Sequence, residues 1–179
     1  MNEKENLTKS YIYESFKQLL EKNNFDNISV CDVCEKAGVS RMSFYRNFKS
    51  KEELTFKWIE SLLNTLKENI ENLEEKSTYT IVKTIFELFL SYKQAIFSLE
   101  DTKMAKDITN QITTKLRESD NVDYMNKTSK YIPVYFYGAI TSTMFDWLKN
   151  GAEETPDEMA RLIASLTNVE PVEKGCKHW

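Results

Sequence analysis

The stretch SVCDVCEKAGVSRMSFYRNFKSKEEL, residues 29–54, decides the fold of this 179-residue chain. Ser29 stands three positions before Asp32, and this spacing is typical of the capping box that opens a helix. Gly38 matches the glycine that commonly ends a helix, and Ser40 stands where a second helix would begin. The pattern therefore predicts two short helices joined by a tight turn.

The apolar residues of these two helices are spaced so that each helix buries one side. Val33, Cys34 and Ala37 share one face of the first helix, while Phe44 and Phe48 lie one turn apart in the second. Such a pair fits the helix-turn-helix plan, in which the first residues of the second helix meet base edges in the major groove of DNA.

Helical patterns flank this motif on both sides. Residues 8–23 carry an apolar stripe and predict a helix capped by Thr8. Ser50 and Glu53 predict a second capping box, which opens a long helix to about Glu75. The first 50 residues are therefore interpreted as a three-helix DNA-binding domain, and a long helix joins it to the rest of the chain.

The remainder predicts further helices and no strands, so the fold class is all-α. Residues 79–99 are apolar almost all round and predict one buried helix, and residues 131–149 predict another. A more polar helix is expected at 101–118 and a last one at 156–167, whereas the tail 169–179 has no useful pattern. Residues 51–179 are interpreted as a helical regulatory and dimerisation domain.

Bulk composition excludes several classes of protein. With 41% hydrophobic and 29% charged residues, the chain can build a globular core, and disorder is not expected. No run of about 18 apolar residues occurs, which argues against a membrane span. The charged N-terminus lacks the apolar run of a signal peptide, so the expected location is the cytoplasm.

The net charge of −4 does not suit a DNA-binding protein, but the distribution of charge does. Residues 1–58 hold 10 of the 24 Lys and Arg but only 9 of the 28 Asp and Glu. Within them, residues 41–58 hold five basic and two acidic residues. Positive charge is therefore concentrated where a phosphate contact would need it.

The cysteines and the single histidine do not predict a metal or catalytic site. Cys31 and Cys34 form a CxxC, but a zinc or redox interpretation needs a second pair or a thioredoxin-like setting. Cys34 is expected to be buried and Cys31 exposed. Cys176 and His178 lie in the tail, where two ligands make a poor site. We therefore expect no cofactor, no metal and no enzymatic activity.

The order and spacing of these features resemble the TetR family of bacterial regulators. The matching residues are Ala-Gly-Val-Ser at 37–40, the aromatic pair Phe44 and Tyr45, Phe48, and Ser-Lys-Glu-Glu-Leu at 50–54. The resemblance covers about residues 8–60. It implies a homodimer that binds a double-stranded DNA operator, most often as a repressor.

The resemblance also implies roles for individual residues. Arg41, Met42 and Ser43 would meet base edges, and Arg41 would suit a guanine. Tyr45, Lys49 and Lys51 would contact phosphates, as would backbone N–H groups of Ser29 and the next helix. The full set assigned to DNA is Ser29, Cys31, Arg41, Met42, Ser43, Tyr45, Arg46, Asn47, Lys49 and Lys51.

For the C-terminal part the resemblance implies dimerisation and ligand binding. Residues 131–149 and 156–167 would pair with their symmetry mates as a four-helix bundle. A small apolar or aromatic ligand would contact aromatic residues, which could equally be core: Phe86, Phe89, Tyr92, Tyr135, Tyr137 and Trp147. The alternative is a DNA-binding regulator without a small ligand, whose C-terminal domain binds a protein partner.

Overall fold

A computed structural model of the chain describes residues 3–100, 102–117 and 131–167, which form helices joined by short connections and contain no strand. The predicted all-α fold is confirmed. The tail 169–179, with Cys176 and His178, lies outside the described residues. The helices are α1 Glu3–Leu20, α2 Val30–Ala37, α3 Arg41–Asn47, α4 Lys51–Glu71, α5 Thr78–Ser91, α6 Lys93–Glu100, α7 Lys103–Arg117, α8 Ile132–Lys149 and α9 Pro156–Thr167, with a 3-10 turn at Phe25–Asn27.

Local caps fix the ends of the two short helices. The Ser29 hydroxyl accepts a hydrogen bond from the Asp32 N–H at 3.2 Å, and the Asp32 carboxylate accepts one from the Ser29 N–H at 2.8 Å. Gly38 has a φ of 64°, a left-handed conformation that glycine adopts without strain. The Ser40 hydroxyl caps α3 by accepting from the Ser43 N–H. The predicted helix-turn-helix is confirmed.

A first hydrophobic core holds α1, α2 and α3 together and does not stop at residue 50. Phe16, Phe44 and Phe48 are almost completely buried in it. Trp58 of α4 and Leu99 of α6 belong to the same core. The helix-turn-helix unit is therefore continuous with the helices that lead into the C-terminal half.

A second core lies between α5, α8 and α9. Phe86 of α5 packs against Trp147 of α8 with ring centroids 5.1 Å apart, and Ile163 of α9 joins them. The indole N–H of Trp147 donates to the Glu154 carbonyl at 3.0 Å, which satisfies its one polar group. This core anchors α8 and α9 on α5, whose buried residues all belong to it and not to the first core.

The structure corrects several predicted helix ends in the first half of the chain. The first helix spans Glu3–Leu20 rather than residues 8–23, so Thr8 lies inside it and does not cap it. The long helix ends at Glu71 rather than Glu75. The Ser50 box is only half formed, because Glu53 accepts from the Lys49 N–H at 2.6 Å instead of closing back on Ser50.

The single helix predicted for residues 79–99 is wrong, because the chain breaks at Tyr92 into α5 and α6. Tyr92 has φ −113° and ψ 12°, and no Gly or Pro marks the break. Its ring contacts Trp58 with centroids 6.0 Å apart, and the Lys17 ammonium lies 4.7 Å from its centre. These contacts with α1 and α4 account for a break that no local residue signals.

The described part of the chain contains neither a candidate membrane span nor a candidate metal site. Within it, no helix combines the length and the apolar character needed to cross a membrane. In the same residues, no three His, Cys, Asp or Glu come close enough together to hold a metal ion.

Candidate DNA-binding surface and C-terminal cavity

The first residues of α3 face solvent, whereas the opposite side of the helix is anchored. Arg41 is exposed, and Met42 leaves 72% of its surface accessible. Ser43 is half-buried, and its N–H is held by the Ser40 cap. Phe44 is 0% exposed and fixes the helix in the first core. The three residues expected to meet base edges therefore lie together at one rigidly supported helix end.

The guanidinium of Arg41 contacts Cys31 on the neighbouring helix. Its Nη2 donates to the Cys31 sulfur at 3.0 Å, and this hydrogen bond raises the pKa of Arg41 above its ordinary value. Cys31 is exposed and Cys34 buried, so both exposures expected from the sequence are confirmed. Burial raises the pKa of the Cys34 thiol, which suits a side chain that fills space in the core.

The second half of α3 carries the residues expected to support DNA contacts. Tyr45 is 53% exposed, and its ring stands edge-on to Phe44 with centroids 5.5 Å apart. Arg46 and Asn47 bend back onto α3, where Arg46 Nε donates to the Met42 carbonyl at 3.3 Å and Asn47 donates to a carbonyl of the same helix. Tyr45 is thus exposed in this half of the helix.

Lys49 and Lys51 differ in their surroundings although both were assigned to phosphates. Lys49 is exposed. Lys51 donates from Nζ to the Phe25 carbonyl at 2.8 Å, and its ammonium lies 4.2 Å from the centre of the Phe25 ring. Lys51 therefore joins the start of α4 to the 3-10 turn, and only its remaining two N–H donors are open to another acceptor.

The backbone N–H of Ser29 is engaged within the protein. It donates to the Asp32 carboxylate, and hydrogen bonds from Ser29 lower the pKa of that carboxyl. The resemblance to the TetR family implies that this N–H donates to a DNA phosphate. In the structure it donates to Asp32 within the capping box, so the donor is already satisfied inside the protein.

The C-terminal half contains a cavity of about 500 Å³ between α4, α6, α7 and α8, with Phe89 of α5 on one wall. Apolar side chains make most of its surface. The polar and charged residues around it are Glu100, Lys106, Thr109, Asn110, Tyr137 and Thr141. Glu100 is paired with Lys149 at 2.5 Å. Burial raises the pKa of Tyr137, although a hydrogen bond with Thr109 acts in the opposite direction.

Only two of the six aromatic residues proposed for a ligand line this cavity. Phe89 and Tyr137 do, whereas Phe86 and Trp147 fill the second core, Tyr92 lies against Trp58, and Tyr135 is 70% exposed. The sequence reasoning missed the aliphatic walls, which come from α4, α6 and α7: Ile59, Leu62, Leu63, Ile96, Leu99, Ile108 and Ile112. Their apolar stripes were visible, but a stripe does not reveal whether it faces a core or a void.

The helix at residues 131–149 was expected to be buried, but α8 and α9 together leave an apolar face uncovered. Tyr135 and Phe136 of α8 are exposed, as are Leu162 and Leu166 of α9, at 50% and 64%. Gly138 and Ala139 are exposed beside them. Large accessible apolar side chains on two adjacent helices are typical of a protein interface.

Comparison with known families matches both halves of the chain. Residues 7–56 match the model for bacterial regulatory proteins of the tetR family, and residues 82–169 match a transcriptional regulator C-terminal region of the same family. Over 53 residues the chain is 38% identical to DhaS of Lactococcus lactis, an HTH-type transcriptional activator of the dhaKLM operon. That match covers 30% of this chain and 28% of DhaS.

Solved structures share the fold over nearly the whole chain. NalD of Pseudomonas aeruginosa, the secondary repressor of the MexAB-OprM multidrug efflux pump, has a TM-score of 0.67 at 16% identity, covering 92% of this chain and 95% of that one. FadR of Bacillus subtilis, in complex with stearoyl-CoA, has a TM-score of 0.63 at 14% identity, covering 88% and 96%. With both family models matched, the chain belongs to the TetR family of transcriptional regulators.

Proposed function

We propose that this protein binds a palindromic DNA operator as a homodimer and leaves it when a small, largely apolar ligand fills the C-terminal cavity. The observation that carries the proposal is the end of α3, where Arg41, Met42 and Ser43 lie outward on a helix anchored by the buried Phe44. A helix presented in this way fits the major groove, in which its first residues reach base edges.

The proposed DNA contacts are of two kinds: some side chains recognise bases, and others bind phosphates. Arg41 reads a base, with Met42 and Ser43 beside it. Tyr45 and Lys49 anchor phosphates, and Lys51 adds charge through the donors that Phe25 leaves free. Because a bacterial regulator must meet its operator DNA, the proposed site of action is the cytoplasm.

The homodimer is proposed to form through α8 and α9. Their exposed apolar side chains, Tyr135 and Phe136 on one helix and Leu162 and Leu166 on the other, support this interface. Gly138 and Ala139 would permit close approach of the two copies. A twofold dimer presents two copies of α3, so its operator has two inverted half-sites about one helical turn apart.

The ligand is proposed to act through α6. The cavity volume of about 500 Å³ falls in the range of small-molecule sites. Leu99 of α6 lines the cavity and also belongs to the first core beside α1. A ligand that moves α6 would therefore move the DNA-binding unit, and it releases DNA if it binds better to the form in which the two recognition helices no longer match the half-sites.

The cavity also favours a small ligand over the alternative of a protein partner. A core filled by its own side chains would have left nothing for a small molecule to occupy. The sign of regulation is proposed as repression, as the printed description of NalD gives for that protein, although DhaS is described as an activator. A promoter-reporter assay in which deletion of the gene lowers expression would overturn repression.

The DNA part is tested by selecting duplexes from a random library with the purified protein and sequencing them. We expect an inverted repeat to be enriched. Lys49→Ala should weaken binding to every selected duplex and lower its salt dependence, because one phosphate contact is lost. Lys67→Ala is the matched control, since Lys67 is an exposed lysine of α4 outside the motif. Failure to enrich any sequence would overturn the proposed function.

A further inference from the structure

The end of the recognition helix is tied to the preceding helix by one side-chain contact. Arg41 is the first residue of α3 and Cys31 the second residue of α2, and the Nη2–Sγ distance between them is 3.0 Å. Both side chains are exposed, so burial does not force them together. Among the described residues, no other side-chain hydrogen bond joins α2 and α3.

Cys31 is itself held in place from two directions. The capping box of Ser29 and Asp32 fixes the turn of α2 on which Cys31 lies. Val33 and Cys34, which follow directly, are buried in the first core. The backbone that carries this sulfur is therefore fixed, and only rotation about χ1 of Cys31 can move the acceptor.

The contact leaves Arg41 able to act on DNA. A guanidinium has five N–H donors, and the sulfur accepts from one of its nitrogens, so most donors remain for a guanine. An exposed arginine otherwise loses much rotational freedom when it binds. Restraint by Cys31 in the free protein would remove part of that loss, as preorganisation does in other binding sites.

We propose that Cys31 is a positioning residue for Arg41: it does not read DNA itself but holds the guanidinium where it can read a base. This inference rests on the proposed function, since Arg41 must face an operator. It separates the two residues, which the sequence interpretation had both assigned to direct DNA contact. Cys31 then determines specificity through its acceptor atom and not through its size.

The experiment compares four variants by selection and sequencing of random duplexes: Cys31→Ala, Cys31→Ser, Arg41→Ala and the double variant Cys31→Ala/Arg41→Ala. We expect Arg41→Ala to lower the preference at one base position of each half-site about tenfold or more. Cys31→Ala should lower it about threefold at the same position, whereas Cys31→Ser retains an acceptor and should keep most of it. The double variant should match Arg41→Ala, because the two changes remove one function.

A second measurement tests the contact without DNA. Rotation of the Arg41 guanidinium in the free protein, followed by nitrogen NMR, should be slower in the native protein and in Cys31→Ser than in Cys31→Ala. The melting temperatures of the variants should agree, because neither exposed side chain belongs to a core.

The outcomes separate the inference from the function on which it rests. Unchanged base preference in Cys31→Ala, or a changed preference at a position that Arg41→Ala leaves alone, overturns positioning and assigns Cys31 a different role. Additive losses in the double variant do the same. If no duplex is enriched by the native protein while Cys31→Ala still frees the Arg41 side chain, the proposed function fails and the contact itself stands.

Discussion

The region around α3 and the region around α8 differ in how completely side chains fill the space between their helices. Around α3, a helix of only seven residues, the aromatic side chains Phe44 and Phe48 are 0% and 1% exposed, and local caps fix both neighbouring helix ends. Around α8, with 18 residues, apolar side chains are divided between a core, a cavity and an uncovered face. A surface that must fit DNA of fixed geometry benefits from rigidity, whereas a part that is proposed to respond to a ligand needs room to change.

The largest effect should come from cutting an aromatic side chain out of the tightly filled region. Phe44→Ala should lower the free energy of unfolding by about 3–5 kcal/mol, because it leaves a void where a completely buried aromatic ring was packed. Phe89→Ala, on a wall that already faces a cavity, should cost clearly less. Urea unfolding at one fixed protein concentration measures both, and equal losses would contradict the contrast between the two regions.

Charging the uncovered face should separate the two copies of the chain. Leu162→Glu with Leu166→Glu places two carboxylates where the proposed interface excludes water, and we expect the dimer dissociation constant to rise by at least about tenfold. Sedimentation at micromolar concentration detects the resulting monomer. Tyr11→Glu is the control, because Tyr11 is similarly exposed, at 55%, but lies on α1. A native protein that is already monomeric would refute the interface.

The sequence predicted features that depend on residues close together in the chain, and it did not predict features that depend on distant residues. The Ser29 box, Gly38 and Ser40 act within a few residues, so the pattern of residues 29–48 was enough to predict α2 and α3. The tie between Lys51 and Phe25 joins residues 26 positions apart, and no local pattern predicts it. The break at Tyr92 likewise depends on contacts with other helices.

The candidate site shows the same division. Exposure of Arg41 and Cys31 followed from their places on the helices, whereas their mutual contact needed the angle between α2 and α3. In the C-terminal half, Ile108 and Ile112 form an apolar stripe on α7 that could have met another helix. Whether they line a void depends on the volumes of side chains from four other helices, which periodicity does not contain.

Two lysines of one segment provide a smaller test of rigidity in the DNA-binding unit. Lys51→Ala removes a partly buried hydrogen bond to Phe25 and a contact with its ring, and should cost about 1 kcal/mol of stability. Lys49→Ala should leave stability unchanged, because its side chain is exposed. Thermal unfolding without DNA measures both, and equal melting temperatures would contradict a stabilising role for Lys51.

The smallest expected effect is on the pH dependence of stability, and it concerns two carboxylates, one in each region. Asp157 at the start of α9 accepts hydrogen bonds from the Tyr79 hydroxyl, from Arg161 at 2.8 Å and from Lys83 at 3.4 Å. These bonds, that of Tyr79 first, lower its pKa from 3.8 to about 2. In the DNA-binding unit, hydrogen bonds from Ser29 also lower the pKa of Asp32.

A carboxyl whose pKa is lower in the folded than in the unfolded protein stabilises the fold above its unfolded value and loses that contribution as the pH falls towards its folded value. Asp157→Asn should therefore be less stable than the native protein at neutral pH, and the difference should shrink between about pH 4 and pH 2. Asp32→Asn should behave in the same direction with a smaller change. Melting temperatures across this pH range measure both, and a difference that stays constant with pH would show that Asp157 joins α5 to α9 through its shape rather than its charge.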